Sequence, residues 1–97
     1  MATVETVAAS QSNQVLGSTG NVADRLDYLL VVPASTSPGA VTVQDGGGDS
    51  FSVFAGGAGS VSNLVPFVIP FGERSRVGGW RVTTGSNVSV IAFGNFT

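Results

Sequence analysis

Glycines and short polar clusters interrupt this sequence at intervals of about ten residues, and this spacing is the feature that most constrains the fold. The segments between the interruptions are rich in valine, phenylalanine, threonine and isoleucine, which are residue types that favour β-strands. No linker divides the chain, and no segment of roughly 20 to 50 residues repeats itself. The spacing therefore predicts an all-β protein of short strands joined by turns.

The clearest predicted strand is residues 27–35, DYLLVVPAS, an almost unbroken apolar run. Such a run is typical of a strand that is covered on both faces. A helix beginning near Asp24 is the alternative, because this stretch also has some helical periodicity and Asn21 could cap it. The Val-Val-Pro sequence at residues 31–33 opposes a helix, so a strand is favoured.

A hairpin and a proline-containing strand are predicted in the middle of the chain. Residues 40–44 alternate, with Val41 and Val43 on one face, and the alternation resumes at residues 51–53 after a run of glycines. Residues 64–71, LVPFVIPF, contain two prolines, which cannot donate to a ladder. This segment should therefore be an edge strand or an extended crossover.

The last predicted strands follow two turns. Residues 77–80, VGGW, predict a tight turn, after which residues 80–84 alternate between two faces. A second turn at residues 84–87 leads into residues 88–96, whose length and apolar content fit a central strand. Weaker strand candidates are residues 3–8 and 14–18.

About seven to eight strands with these turns predict a small antiparallel β-sandwich or jelly roll. We expect residues 1–97 to form a single domain, in which residues 1–20 are an N-terminal arm or an edge strand. A domain of this size has only a modest core, so oligomerisation would stabilise it materially.

Charge is scarce in this chain. Charged residues make up 10% and hydrophobic residues 42%, against a usual charged share of about 25%. We therefore expect much of the surface to be buried against other chains. Four arginines, no lysine and a formal net charge of −2 argue against a nucleic-acid partner. No apolar run approaches the roughly 20 residues of a membrane-spanning helix, and the N-terminus lacks the basic start of a secretory signal, so neither a membrane partner nor export is expected.

The side chains that most catalytic and metal sites use are missing. There is no histidine and no cysteine, which removes the commonest general base and all thiolate ligands. The many serines and threonines have no histidine or lysine to accept a proton. A hydrolase with paired carboxylates stays formally possible. Its candidate residues are Asp24, Asp27, Asp45, Asp49, Glu5 and Glu73.

The run Asp45-Gly-Gly-Gly-Asp49 could hold calcium, cradle a phosphate or form the turn of a hairpin. Calcium needs six to eight oxygen ligands, and the next residues, beginning with Phe51, supply none from their side chains. A phosphate loop needs a helix N-terminus, whereas a strand is predicted here. The hairpin turn is favoured, because glycine readily adopts positive φ. We predict no catalytic, cofactor-binding or metal-binding residue, and a protein that is not an enzyme.

Two further features each have two interpretations. Glu73, Arg74 and Arg76 form the densest charge cluster, which is either a solvated loop or part of an intersubunit ion pair. The only tryptophan, Trp80, is more simply explained by core packing than by ligand stacking, although a lectin-like site would use such an aromatic residue beside aspartate or asparagine.

The run FGERSRVGGWRVTTGSNVSVIAFGNFT at residues 71–97, with the preceding hairpin VTVQDGGGDSFSVFAGG, resembles small proteins encoded among the structural genes of tailed bacteriophages. The shared elements are a DG hairpin tip, an S-x-x-G-x-W turn at residues 75–80 and a T-T-G-x-x-V-x-V-I-A strand at residues 83–92. The resemblance covers roughly the last half of the chain. Its positions look architectural, so no functional residue is carried over.

The resemblance implies a virion component assembled in the host cytoplasm, namely a capsid decoration or cement protein that sits as a trimer on the head lattice and binds the major capsid protein. A head-fibre or tail component is the alternative within the virion. A carbohydrate-binding module is the alternative from another class, motivated by Trp80 and the acidic hairpin tip.

Overall fold

Eight β-strands form within residues 2–97, the part of the chain that this computed structural model describes. They are β1 (Ala2–Val7), β2 (Gln14–Val15), β3 (Arg25–Pro33), β4 (Val41–Asp45), β5 (Ser50–Phe54), β6 (Phe67–Arg74), β7 (Trp80–Thr84) and β8 (Val88–Phe96). None of the described residues is helical. The predicted all-β class is confirmed, and the segment that begins near Asp24 is a strand rather than a helix. No helix within residues 2–97 is long and apolar enough to cross a membrane.

The strands form two four-stranded antiparallel sheets. Sheet A has the order β1-β8-β3-β6, and sheet B has the order β2-β7-β4-β5. The pairs β1–β8, β2–β7, β3–β6 and β4–β5 are therefore nested, as if one long hairpin had been folded over into two layers. This nesting is the strand order of a jelly roll, which confirms the predicted fold class.

The core lies between the sheets and follows from alternation along the strands. In β4, β7 and most of β8, every second residue is buried and the residues between are partly exposed. Burial of each valine or leucine side chain contributes about 1.5–3 kcal/mol. The buried hydrophobic residues are Val7, Leu16, Leu26, Leu29, Val31, Val41, Val43, Trp80, Val82, Val88, Val90, Ala92 and Phe96.

Strand β3 corrects one prediction. Its apolar run predicts a strand covered on both faces, but only the inward residues are buried within the chain, namely Leu26, Leu29, Val31 and Pro33. Leu30 is half-buried and Tyr28 is 38% exposed, because no second layer lies over the outer side of sheet A. Packing within a single chain therefore does not explain why the outward residues of β3 are apolar.

The edges of sheet A agree with the sequence. The proline-containing segment forms β6, which lies at an edge, and Pro70 there has no N–H to donate. Strand β1 forms the other edge through its pairing with β8. Strand β8 lies between β1 and β3, as its length and composition indicate.

The expected tight turn at residues 77–80 is wrong. Residues 75–79 form a longer connection that carries the chain from β6 in sheet A to β7 in sheet B. Gly78 and Gly79 allow two backbone segments to approach each other closely and do not reverse the chain direction. A Cβ on Gly79 would lie 2.4 Å from Cα of Gly20, and neither Gly78 nor Gly79 has a positive φ.

A buried carboxylate, Asp24, joins three segments at one end of the sandwich. It accepts hydrogen bonds from the backbone N–H of Asn21 and from both the N–H and the hydroxyl of Thr97. The carbonyl oxygen of Thr97 accepts in turn from the N–H groups of Ser18 and Thr19. This network holds the described C-terminal residue against the connection between β2 and β3.

Candidate functional site

The outer side of sheet A carries two adjacent rows of largely apolar residues, here called the apolar face, and beyond them, toward the start of β3, it carries Arg25 and Arg74. One row across the four strands is Thr6, Ile91, Leu30 and Val68, and the next is Val4, Phe93, Tyr28 and Pro70. Val4 is 52% exposed and Val68 is 55% exposed. The rings of Tyr28 and Phe93 stack with their centroids 4.7 Å apart. An exposed apolar surface of this kind is typical of a protein–protein interface.

The outer side of sheet B, here called the polar face, has the opposite composition. Thr42 lies between Thr83 and Ser52, and Gln44 lies between Arg81 and Ser50. Hydroxyl and amide groups in these positions remain hydrogen-bonded to water without cost, so this face needs no cover. The molecule is therefore two-sided.

The hairpin tip at residues 46–49 connects β4 to β5, as the turn interpretation predicts. The aspartate that precedes this tip at the end of β4, Asp45, is 8% exposed and directs its carboxylate at backbone N–H groups. Those donors are Arg76 (2.9 Å), Val77 (3.1 Å) and Gly78 (3.4 Å). Asp45 therefore joins the hairpin tip to the connection between the two sheets.

The electrostatics of Asp45 follow from these bonds. Burial acts to raise the pKa of its carboxyl, but the N–H groups of Val77, Arg76 and Gly78, with the Arg76 charge, together hold that pKa below its ordinary value of 3.8. Asp45 is therefore ionised at neutral pH and is a poor proton donor. Its carboxylate oxygens are hydrogen-bonded to backbone N–H groups of the protein itself.

Glycine is required next to this carboxylate. Gly46 has a φ of 55°, and a Cβ at this position would lie 2.7 Å from the backbone nitrogen of Gly78. The positive φ expected in the glycine run is thus found at Gly46, while Gly47 and Gly48 do not have it.

A cleft of about 310 Å³ opens beside the hairpin tip. Its lining combines three aromatic residues, three carboxylates and two arginines. These are Phe51, Phe71, Trp80, Asp45, Asp49, Glu73, Arg74 and Arg76. The structure thus brings the acidic hairpin tip, the charge cluster and the tryptophan together, although the sequence presented them as separate features.

Trp80 belongs to the core, as its simpler interpretation predicts. It is 2% exposed, and its indole N–H donates to the carbonyl oxygen of Asp24 at 2.9 Å. The ring of Phe71 packs edge-on against it at 5.1 Å. With so little exposed surface Trp80 cannot stack on a ligand, whereas Phe51 at the same cleft is 42% exposed.

The charge cluster beside the cleft is solvent-exposed. Glu73 and Arg76 approach to 4.0 Å, with side chains 59% and 83% exposed. An ion pair this exposed contributes little to stability. The Arg74 guanidinium donates to the carbonyl oxygen of Ala23 at 3.4 Å. Solvent exposure of Glu73 and Arg76 agrees with the solvated interpretation, but the predicted loop is wrong for Glu73 and Arg74, which are the last two residues of β6.

The remaining carboxylates do not join the cleft. Asp24 is the buried carboxylate described above, and Asp27 pairs with Arg25 at the start of β3. Glu5 lies in β1 and accepts from the N–H of Gly17 at 2.7 Å. Within residues 2–97, no group of three or more acidic side chains is arranged to hold a metal ion.

Comparisons with protein-family models, with curated protein sequences and with solved structures find no match to this chain. The two outer faces and the cleft are the features of the molecule that bear on its function.

Proposed function

We propose that this chain is a non-enzymatic structural protein of a phage virion, a capsid decoration or cement protein that binds the major capsid protein as a homo-oligomer. The observation that carries the proposal is the apolar face, which a soluble single copy would leave in water. The sequence resemblance supplies the virion context, and the jelly-roll strand order is one that capsid domains use.

The apolar face is assigned to contacts between copies of this chain. Permanent interfaces between identical subunits are more apolar than interfaces that form and dissociate. The face has no charge within the rows defined above, so a second uncharged apolar surface covers it without desolvating an ion. A trimer built this way engages three lattice sites at once, and weak individual contacts to the capsid then add up.

Attachment to the capsid is assigned to the remaining, more polar surface. A charged or hydroxyl-rich surface stays soluble before assembly and can still form hydrogen bonds with a capsid subunit. The uneven distribution of apolar residues therefore suits a protein that first assembles with itself and then attaches to a shell.

The test begins with the mass of the purified protein in solution. The wild type is expected as an oligomer, and Val68→Asp, which adds a charge to the apolar face on an edge strand, is expected as a monomer. Ser52→Asp is the matched control, because Ser52 lies on the edge strand of the polar face. A wild type that is monomeric at high concentration would contradict the assignment.

A reconstruction of the virion decides between the two virion roles. Copy numbers that match the three-fold positions of the head lattice support decoration. A few copies at one vertex or on the tail would instead support the head-fibre or tail alternative. Binding of the purified oligomer to empty heads, assembled from the major capsid protein of the same genome, provides an independent measurement.

A further inference from the structure

The cleft beside the hairpin tip is a second feature that the proposed function does not use. One wall is the β4–β5 hairpin with Asp49, and the other is the end of β6 with Glu73 and the following Arg76. Its volume of about 310 Å³ lies at the lower end of the range for small-molecule sites, roughly 300–1,000 Å³. A single sugar ring is of a suitable size.

The two walls are held together before any ligand arrives. Asp45 bonds to three backbone N–H groups of the opposite wall, and the N–H of Gly46 donates to the carbonyl oxygen of Gly79 at 3.0 Å. The backbones meet closely at Gly46 and Gly78. A cleft with fixed walls loses little entropy when it binds a ligand.

The cleft offers an exposed ring for stacking. Phe51 is 42% exposed, and Phe71 supports it edge-on with centroids 6.0 Å apart. The flat C–H side of a pyranose ring packs against such an aromatic face, whose electron density is negative.

The charges around the cleft restrict the ligand further. Three carboxylates and two guanidinium groups leave one net negative charge, which disfavours phosphate and acidic sugars. Asp49 and Glu73 can accept from neighbouring hydroxyls, and Arg76 can donate to a ring or hydroxyl oxygen. Neutral polyhydroxyl compounds match this set of donors and acceptors.

We propose that this cleft binds one neutral pyranose unit of a carbohydrate, with Phe51 under the ring and Asp49, Glu73 and Arg76 on its hydroxyls. The site differs from the lectin-like site that the sequence suggested, because Phe51 takes the place of Trp80 as the stacking surface. The inference does not depend on the role of the apolar face or on capsid binding.

The test is a titration of the full chain, followed by amide chemical shifts, with methyl glucoside, methyl galactoside, methyl mannoside and methyl N-acetylglucosaminide. At least one is expected to bind in the millimolar range and to shift amides of residues 45–51 and 71–80. Phe51→Ala and Asp49→Asn are each expected to weaken that binding about tenfold or more, a loss of roughly 1.4 kcal/mol.

Tyr28→Ala is the matched control, because Tyr28 is an aromatic residue of similar exposure on the apolar face. It is expected to leave sugar binding unchanged. Phe51→Leu retains apolar volume without the ring, so it separates loss of stacking from loss of folding. The absence of cleft shifts with all four sugars, equal weakening by Tyr28→Ala, or tighter binding of inorganic phosphate at the same amides would each overturn the proposal.

Discussion

The outer faces of the two sheets occupy equivalent positions in the fold and have opposite chemistry. Leu30 lies between Ile91 and Val68 on sheet A, while Thr42 lies between Thr83 and Ser52 on sheet B. In each row the central residue lies on an interior strand and points away from the core. Both faces lie over the same core. Since the core makes no demand on outward positions, the difference is not explained by the packing of one chain, and it is the difference that the proposed self-association through sheet A requires.

The largest difference between the two faces is expected when the same charge is placed on each of them. Leu30→Asp is expected to raise the dissociation constant of the oligomer about 100-fold, roughly 2.7 kcal/mol, because the interface would bury an unpaired carboxylate. Thr42→Asp is expected to change it less than about twofold, since it leaves the carboxylate in water. Sedimentation velocity over a range of concentrations measures both.

Thermal unfolding of the same two variants provides the control for folding. Both side chains are half-buried on interior strands, so comparable unfolding temperatures would show that assembly alone has changed. If Thr42→Asp dissociated the oligomer as strongly as Leu30→Asp, the two faces would not differ in function.

A second prediction concerns the hydrogen bonds of Asp45, which link sheet B to the connection between the two sheets. Asp45 on sheet B bonds to the connection that leads from sheet A, so Asp45→Asn should lower the free energy of unfolding by about 2 kcal/mol. The amide would place an NH₂ group or a weaker acceptor opposite the three N–H donors. Asp49→Asn, at the exposed end of the same hairpin tip, should change it by less than about 0.5 kcal/mol. Urea unfolding of both variants measures the difference.

The lowered pKa of Asp45 also determines how the free energy of unfolding should depend on pH. The pKa of Asp45 is lower in the folded chain than in the unfolded one, where it is near 3.8. Its ionised form therefore stabilises the fold fully above that value, and the stabilisation is lost as the pH falls through the lower, folded pKa. Asp45→Asn should lose less stability than the wild type between neutral pH and pH 3. Identical acid profiles would contradict this account of the hairpin tip.

The smallest expected effect is that of salt. An oligomer held by the apolar face should change its dissociation constant less than about twofold between 50 mM and 500 mM sodium chloride, because no ion pair contributes. Ammonium sulfate should strengthen it, since excluded salts favour apolar burial. Dissociation by sodium chloride would show that charged residues such as Arg76 carry the contact.

Much of the fold could be predicted from the sequence because local patterns determine it. Alternation identified β4 and β7, prolines placed β6 at an edge, and composition placed β8 in the interior. The turn at residues 77–80 was misread, because glycines needed for close contact between distant backbones look the same in a sequence as glycines needed for a reversal. The partner of each glycine becomes visible only in three dimensions.

The candidate site was predictable only in part. The sequence shows Asp45 and the charge cluster as separate candidate features and Phe51 only as a strand residue without a calcium-binding side chain. Their meeting at one cleft depends on the nested strand order. The apolar run of β3 predicts a strand that is covered on both faces. A face covered by another copy of the chain uses the same residues, so composition cannot distinguish an inner layer from an intermolecular one.

The nested strand order also bears on how the chain reaches its native state. Only β4 and β5 are neighbours in sequence that pair directly, and each pair outside them encloses a longer loop, until β1 meets β8 across almost the whole polypeptide. Closing large loops before their contacts form makes such topologies slow to fold, on a scale of milliseconds to seconds. A ribosome must therefore release nearly all of the described strands before sheet A can be complete, because the apolar face cannot form without β8.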